Sequence, residues 1–99
     1  MAEKHWNGLS NHGLVLLTLA SDPGIRVRDI AAKVGMTERN VQRLVQDLVS
    51  SGVVERTRQG RRNVYQLRRE QPLAHSLEAH RTVGDLLDTF VAPVNQEYA

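Results

Sequence analysis

Cysteine is missing from the 99-residue chain. Its absence excludes a disulfide scaffold, thiolate metal sites and thiol redox sensing together. Long apolar runs are missing too: none approaches the ~18 residues of a membrane helix. No charged-then-apolar leader opens the sequence, so a cytoplasmic protein without membrane contact is expected. Glycine-rich phosphate loops are also absent, Gly60 standing alone in its stretch. No nucleophile with its base, no paired carboxylates and no metal cage is legible. The chain is therefore expected not to be an enzyme and to need no cofactor. Aromatic residues make up 4%, and the single tryptophan, Trp6, is read as packing against a helix or a partner chain. His75, Glu78 and His80 alone combine metal-ligand chemistries, but their spacings do not line up on one helix face. No metal is assigned there. These histidines, with His5 and His12, are read as exposed or interface residues.

What is present is one domain of ordinary globular composition, 40% hydrophobic and 24% charged. The net charge of +2 hides a segregation. Residues 26–69 hold eleven basic and four acidic side chains, net +7, between an N-terminal block of net −1 and a C-terminal block of net −4. A basic middle between acidic ends is the footprint of a surface aimed at a polyanion.

The clearest segment runs from Arg28 to Gly52. Val41, Leu44, Val45, Leu48 and Val49 fall at i, i+3, i+4, i+7 and i+8, one apolar stripe of a helix. Thr37 can cap its first turn and Gly52 can end it, which predicts a helix over 38–51. Its opposite face carries Arg39, Asn40, Gln42, Arg43, Gln46 and Asp47, mostly long side chains that reach phosphates and base edges. Upstream, Asp29–Val34 predicts a short helix with Ile30, Ala31 and Val34 inside, broken by Gly35. Two helices joined so closely cross steeply and share a small core. Ile30, Ala31, Val34, Gly35, Met36, Val41 and Leu44 resemble the helix-turn-helix of bacterial transcription regulators.

Around this unit, Ser10 caps an expected helix over 11–21 that stops before Asp22-Pro23-Gly24. Its middle, Leu14 to Ala20, is apolar on nearly every face. Such a helix needs cover on both sides, from its own core and from either a second protomer or the C-terminal helix of the same chain. Ile25-Arg26-Val27 fits a short strand. After Gly52 the period changes to two: Val53–Arg58 and Asn63–Leu67 flank Gln59-Gly60-Arg61-Arg62 and predict a β-hairpin with Tyr65 and Leu67 facing the helices. Pro72 suits the first turn of a last helix running to about Val91, with Gly84 marking a weak point or a close contact.

Helix-turn-helix followed by a basic two-stranded ribbon resembles the winged helix of the MarR and ArsR-type regulators. The likeness covers about residues 9–90 and is most specific over 27–67. Some ArsR-type sensors carry metal ligands on the last helix, but their paired spacing is not reproduced here and their cysteines are missing. The resemblance implies a mainly α fold with a small antiparallel β-hairpin, a winged helix-turn-helix occupying residues 9–91 between a flexible 1–8 and a frayed 92–99. It implies sequence-specific binding of double-stranded DNA by a homodimer. Arg39, Asn40, Gln42 and Arg43 are the expected base or groove contacts, and Thr37 and Gln46 the expected phosphate or groove-edge contacts. Arg58, Arg61 and Arg62 are expected on the backbone or minor groove. Leu14, Leu16, Leu17, Leu77, Leu87 and Phe90 are the expected dimer interface. Two alternatives stay open: a winged helix that docks proteins, and an effector-responsive repressor with a small-molecule site at the dimer interface. No effector is readable.

Overall fold

The computed structural model describes residues 6–90. The expectations for residues 1–5 and 91–99, including the end of the last helix at Val91 and the frayed tail, lie outside them. Three helices come first, α1 (Asn11–Ser21), α2 (Val27–Val34) and α3 (Glu38–Ser50). A hairpin of β1 (Val54–Gln59) and β2 (Arg62–Leu67) follows, and then α4 (Val83–Phe90). The fold is a mainly helical winged helix-turn-helix with one two-stranded antiparallel sheet.

α1 starts where Ser10 Oγ accepts from Gly13 N at 3.1 Å and ends before Pro23. Its apolar circumference is used largely within the chain, because α1 packs against α2, α3, β2 and α4. Val15, Leu16 and Leu19 are buried, and so is Thr18, whose hydroxyl donates to the Leu14 carbonyl at 2.8 Å. That bond removes the cost of burying a hydroxyl. Leu14, Leu17 and Ala20 are only half-buried. Of the expected interface residues, Leu16 and Leu87 must be corrected: at 4% and 2% exposure they belong to the protomer's own core. The helical stripe could not reveal this, since α4 closes over a side of α1 that the sequence left unassigned.

The expected strand at Ile25-Arg26-Val27 does not form. α2 begins two residues earlier than expected, at Val27, with the Arg26 carbonyl accepting from Asp29 N and Ile30 N. Asp29 in the first turn favours this helix start, and Arg26 Nε holds its carboxylate at 3.2 Å. One cross-connection remains, from Tyr65 N to the Pro23 carbonyl at 3.0 Å. Gly35 takes φ 75° and lets the chain reverse into Thr37, whose hydroxyl accepts from Asn40 N at 3.1 Å. Val41, Leu44, Val45 and Leu48 of α3 then meet Ile30 and Ala31 in one core.

In the hairpin, Val54 pairs with Leu67, Arg56 with Tyr65 and Gln59 with Arg62. Gly60 at φ 63° leads a two-residue turn, the conformation that matches the strands' twist. Val54 and Tyr65 are buried at its root and Leu67 packs on the core, the face expected for Tyr65 and Leu67.

A helix from Pro72 to Phe90 is not found. Residues 72–82 make a looped excursion closed by a bridge between Pro72 and Thr82, with Leu73 N on the Arg81 carbonyl and Val83 N on the Gln71 carbonyl. A continuous helix would carry the stripe begun by Leu73 and Leu77 through His80-Arg81, which supply nothing to a core. Helix resumes at Thr82, where a capping box forms: Asp85 N donates to Thr82 Oγ1 at 3.1 Å and Thr82 N to Asp85 Oδ2 at 3.0 Å. Gly84 N then donates to the Arg69 carbonyl at 2.8 Å, a close approach that a side chain would obstruct.

Candidate nucleic-acid interface

α3 turns its apolar stripe inward and leaves Arg39, Gln42, Arg43 and Gln46 exposed. At 100° per residue, Arg39, Arg43, Gln46 and Ser50 lie nearest the centre of the outward face, while Asn40 and Asp47 lie on its flank towards α1. Thr37 is committed to capping, so its hydroxyl anchors the helix start. Asn40 is half-buried: its Nδ2 approaches Met36 Sδ at 3.3 Å and its Oδ1 accepts from Arg43 Nη2 at 2.6 Å. Arg43 also lies 3.9 Å from Asp47 Oδ2, and His12 Nε2 on α1 meets the same oxygen at 2.8 Å. Gln46 bonds forward to Ser50 Oγ at 3.0 Å and accepts from Arg56 Nη2 at 2.9 Å.

The hairpin register decides where the wing arginines go. Residues paired across the ladder share a face, so Arg56 and Arg58 stand on the side of Tyr65. Near the hairpin root that face is core, and further out it becomes cationic beside α3. Arg58 Nε donates to the Gly60 carbonyl at 3.1 Å, bracing the turn. Arg62 stands on the other face and donates to the Gly24 carbonyl in the α1–α2 connection. Arg61 at the tip has no side-chain partner among the described residues. Thus Arg39, Arg43, Gln46, Arg56 and Arg58 are brought to one side, whereas Arg62 is turned towards the α1–α2 loop. Arg56 was expected within the basic wing over 56–62 but not singled out with Arg58, Arg61 and Arg62; its place followed from period two, since it stands directly opposite Tyr65. The His12–Asp47 contact joins residues 35 apart and left no pattern in the sequence.

A cleft of about 700 Å³ lies between the starts of α1 and the 71–78 loop, with His12, Leu16, Asp47, Leu73, His75 and Glu78 among its walls. His75 Nδ1 accepts from Leu77 N at 3.0 Å, and among the described residues no three His, Asp or Glu side chains gather as a metal cage. Among them, too, no helix is long and apolar enough to cross a membrane.

The sequence model of the MarR family matches residues 9–62, from before α1 to the start of β2. The chain belongs to the MarR family. Among solved structures, the PcaV transcriptional regulator from Streptomyces coelicolor, in complex with its natural ligand, is similar with a TM-score of 0.53 and 26% sequence identity. The match covers 87% of this chain and 62% of that one, so the MarR-family chain described here spans less than two thirds of that regulator. No curated protein matches the sequence.

Proposed function

We propose that this MarR-family chain is a transcriptional regulator that binds double-stranded DNA as a homodimer. The observation that carries the reading is the alignment of Arg39, Arg43 and Gln46 on α3 with Arg56 and Arg58 on the wing, in one cationic surface beside a helix. A helix of this size fits the major groove, and a basic ribbon beside it meets the flanking backbone. The acidic C-terminal block supports the orientation, since a net −4 is favourable only away from phosphates. Dimerisation is supported by apolar side chains left open: Leu77 at 82% exposure, Phe90 at 48%, and half-buried Leu14 and Leu17. A two-fold pairing would set two recognition helices in successive major grooves about 34–36 Å apart.

Fluorescence polarisation on duplex DNA across a salt series tests this reading. About 6–10 phosphate contacts cost roughly 10³–10⁵ in affinity between about 50 and 200 mM salt. A flat salt response, or no binding to any duplex at low salt, favours protein docking instead.

A second reading, regulation by a small molecule, is favoured by the cleft. Its wall includes Asp47, which also contacts Arg43 on the groove-facing side of α3. A ligand there would touch the element that meets DNA. Thermal-shift screening of small polar metabolites, repeated on Leu73→Trp to fill the cleft, tests it; stabilisation unchanged in the variant places the ligand elsewhere.

A further inference from the structure

Arg43 differs from Arg39, the other cation of α3, in having a polar partner on either side. Its Nη2 donates to Asn40 Oδ1 at 2.6 Å, one turn earlier, and its Nη1 lies 3.9 Å from Asp47 Oδ2, one turn later. Neither brace is itself loose. Asn40 is half-buried, its amide nitrogen directed at Met36 Sδ, and its backbone N–H is tied to Thr37. Asp47 is met from behind by His12 Nε2 at 2.8 Å. By contrast, Arg39 and Gln42 have no side-chain hydrogen bond or ion pair among the described residues.

Two consequences follow from hydrogen-bond inventories. A guanidinium has five N–H donors; one engages Asn40, and at 3.9 Å Asp47 takes none by a hydrogen bond, so a forked pair remains for an acceptor edge. Guanine is the base that presents two acceptors side by side in the major groove, O6 and N7. Asn40, however, already spends one acceptor site on Arg43 and turns its nitrogen to Met36, so reading adenine bidentately would require it to leave or share these contacts. The carboxylate of Asp47 beside Arg43 also disfavours a phosphate as its partner, by like-charge repulsion.

Resting on the DNA-binding reading above, we infer that Arg43 is the residue that reads guanine, and that Asn40 is a positioning residue that aims it rather than a base contact. This reassigns Asn40 from the groove contacts expected from the sequence.

The test is selection of binding sites from a pool of random duplexes by the full chain, followed by competition binding on the selected site with each base in turn. Wild type is expected to prefer guanine at one position of each half-site by about tenfold or more. Arg43→Gln should abolish that preference. Asn40→Ala should narrow it without shifting it to another position. Asn40→Asp, which keeps the acceptor oxygen and drops the donor, should restore it even where total affinity falls. An adenine preference in wild type that disappears in both Asn40 variants makes Asn40 the reader and overturns the inference. A guanine preference that survives Arg43→Gln overturns it too. Failure of wild type to enrich any duplex rejects the DNA-binding reading itself, and the inference with it.

Discussion

Arg56 Nη2 on the first wing strand donates to Gln46 Oε1 on α3 across 2.9 Å, joining the wing to that helix by outward-facing side chains. Below that bond, Val54 and Tyr65 are buried against the helices, so the base of the ribbon moves with α3. Above it the ribbon is held from the other side, by Arg62 on the Gly24 carbonyl. The wing is thus tied to two different parts of the domain, and its arginines have unequal duties.

Arg61 and Arg62 should therefore fail differently. Arg61 has no side-chain partner among the described residues, so Arg61→Ala should weaken all DNA sequences alike and lower the salt slope by about 1. Arg62→Ala should also loosen the ribbon from the α1–α2 connection. Hydrogen exchange at the Tyr65 amide, which donates to the Pro23 carbonyl beside that contact, measures the difference. Exchange should quicken in the Arg62 variant only; equal exchange in both variants would show the Gly24 contact to be idle.

Core and interface leucines should separate just as clearly. Leu87 is 2% exposed and packs with the residues of α1, so Leu87→Ala should cost about 2–5 kcal/mol of stability. Leu77→Asp and Phe90→Asp replace exposed side chains and should leave the melting temperature of the monomer nearly unchanged while weakening self-association. Sedimentation equilibrium with thermal melting distinguishes the two kinds of effect. A dimer undisturbed by both exposed substitutions would remove these residues from the interface.

Where the sequence was legible, several local signals agreed. At α3, Thr37, the spacing of Val41 to Leu48 and the φ 82° glycine at Gly52 all marked the same helix. Ser10 and Pro23 did likewise for α1. The misreadings arose where one signal stood alone. Pro72 suited a helix start, but no cap or continuous stripe supported it, whereas Thr82-Val83-Gly84-Asp85 carried a capping box beginning ten residues after Pro72. The site was legible as a list of exposed cations on a helix and a ribbon. Their pairing was not, because Asn40 with Arg43 and Gln46 with Arg56 depend on rotamers and on the angle of the hairpin, which no periodicity encodes.

Gly84→Ala should destabilise the domain although alanine gains about 1 kcal/mol of helix propensity. An added Cβ would sit 3.2 Å from the Arg69 carbonyl oxygen and 3.2 Å from its Nη2. That carbonyl already accepts from Gly84 N at 2.8 Å, and Arg69 is held further by Asp88 at 2.7 Å, so neither atom moves freely. Overpacking of this kind costs about 1–3 kcal/mol, enough to cancel the propensity gain. A raised melting temperature in Gly84→Ala would mean that the contact between α4 and residue 69 yields more easily than its bonds suggest.

Acid should weaken α4 through Asp85 in a way that a neighbouring variant exposes. The Thr82 N–H donated to its carboxylate is the main reason that Asp85 ionises below the ordinary aspartate range; desolvation opposes this, while the Thr82 side chain, Arg81 and Arg69 add to it. A carboxyl group whose pKa is lower folded than unfolded stabilises the fold fully above its unfolded pKa. The contribution disappears as pH falls through the folded value, because both states then bind the proton. Other carboxylates are paired in the fold, among them Asp88 with Arg69 and Asp29 with Arg26, so a wild-type curve alone is not diagnostic. Asp85→Asn keeps an oxygen for the Thr82 N–H but cannot ionise. The gap in melting temperature between wild type and Asp85→Asn should be widest near neutral pH and should close as the solution is acidified below the aspartate range. A gap of constant size at every pH would show that Asp85 caps α4 by hydrogen bonding alone, with no contribution from its charge.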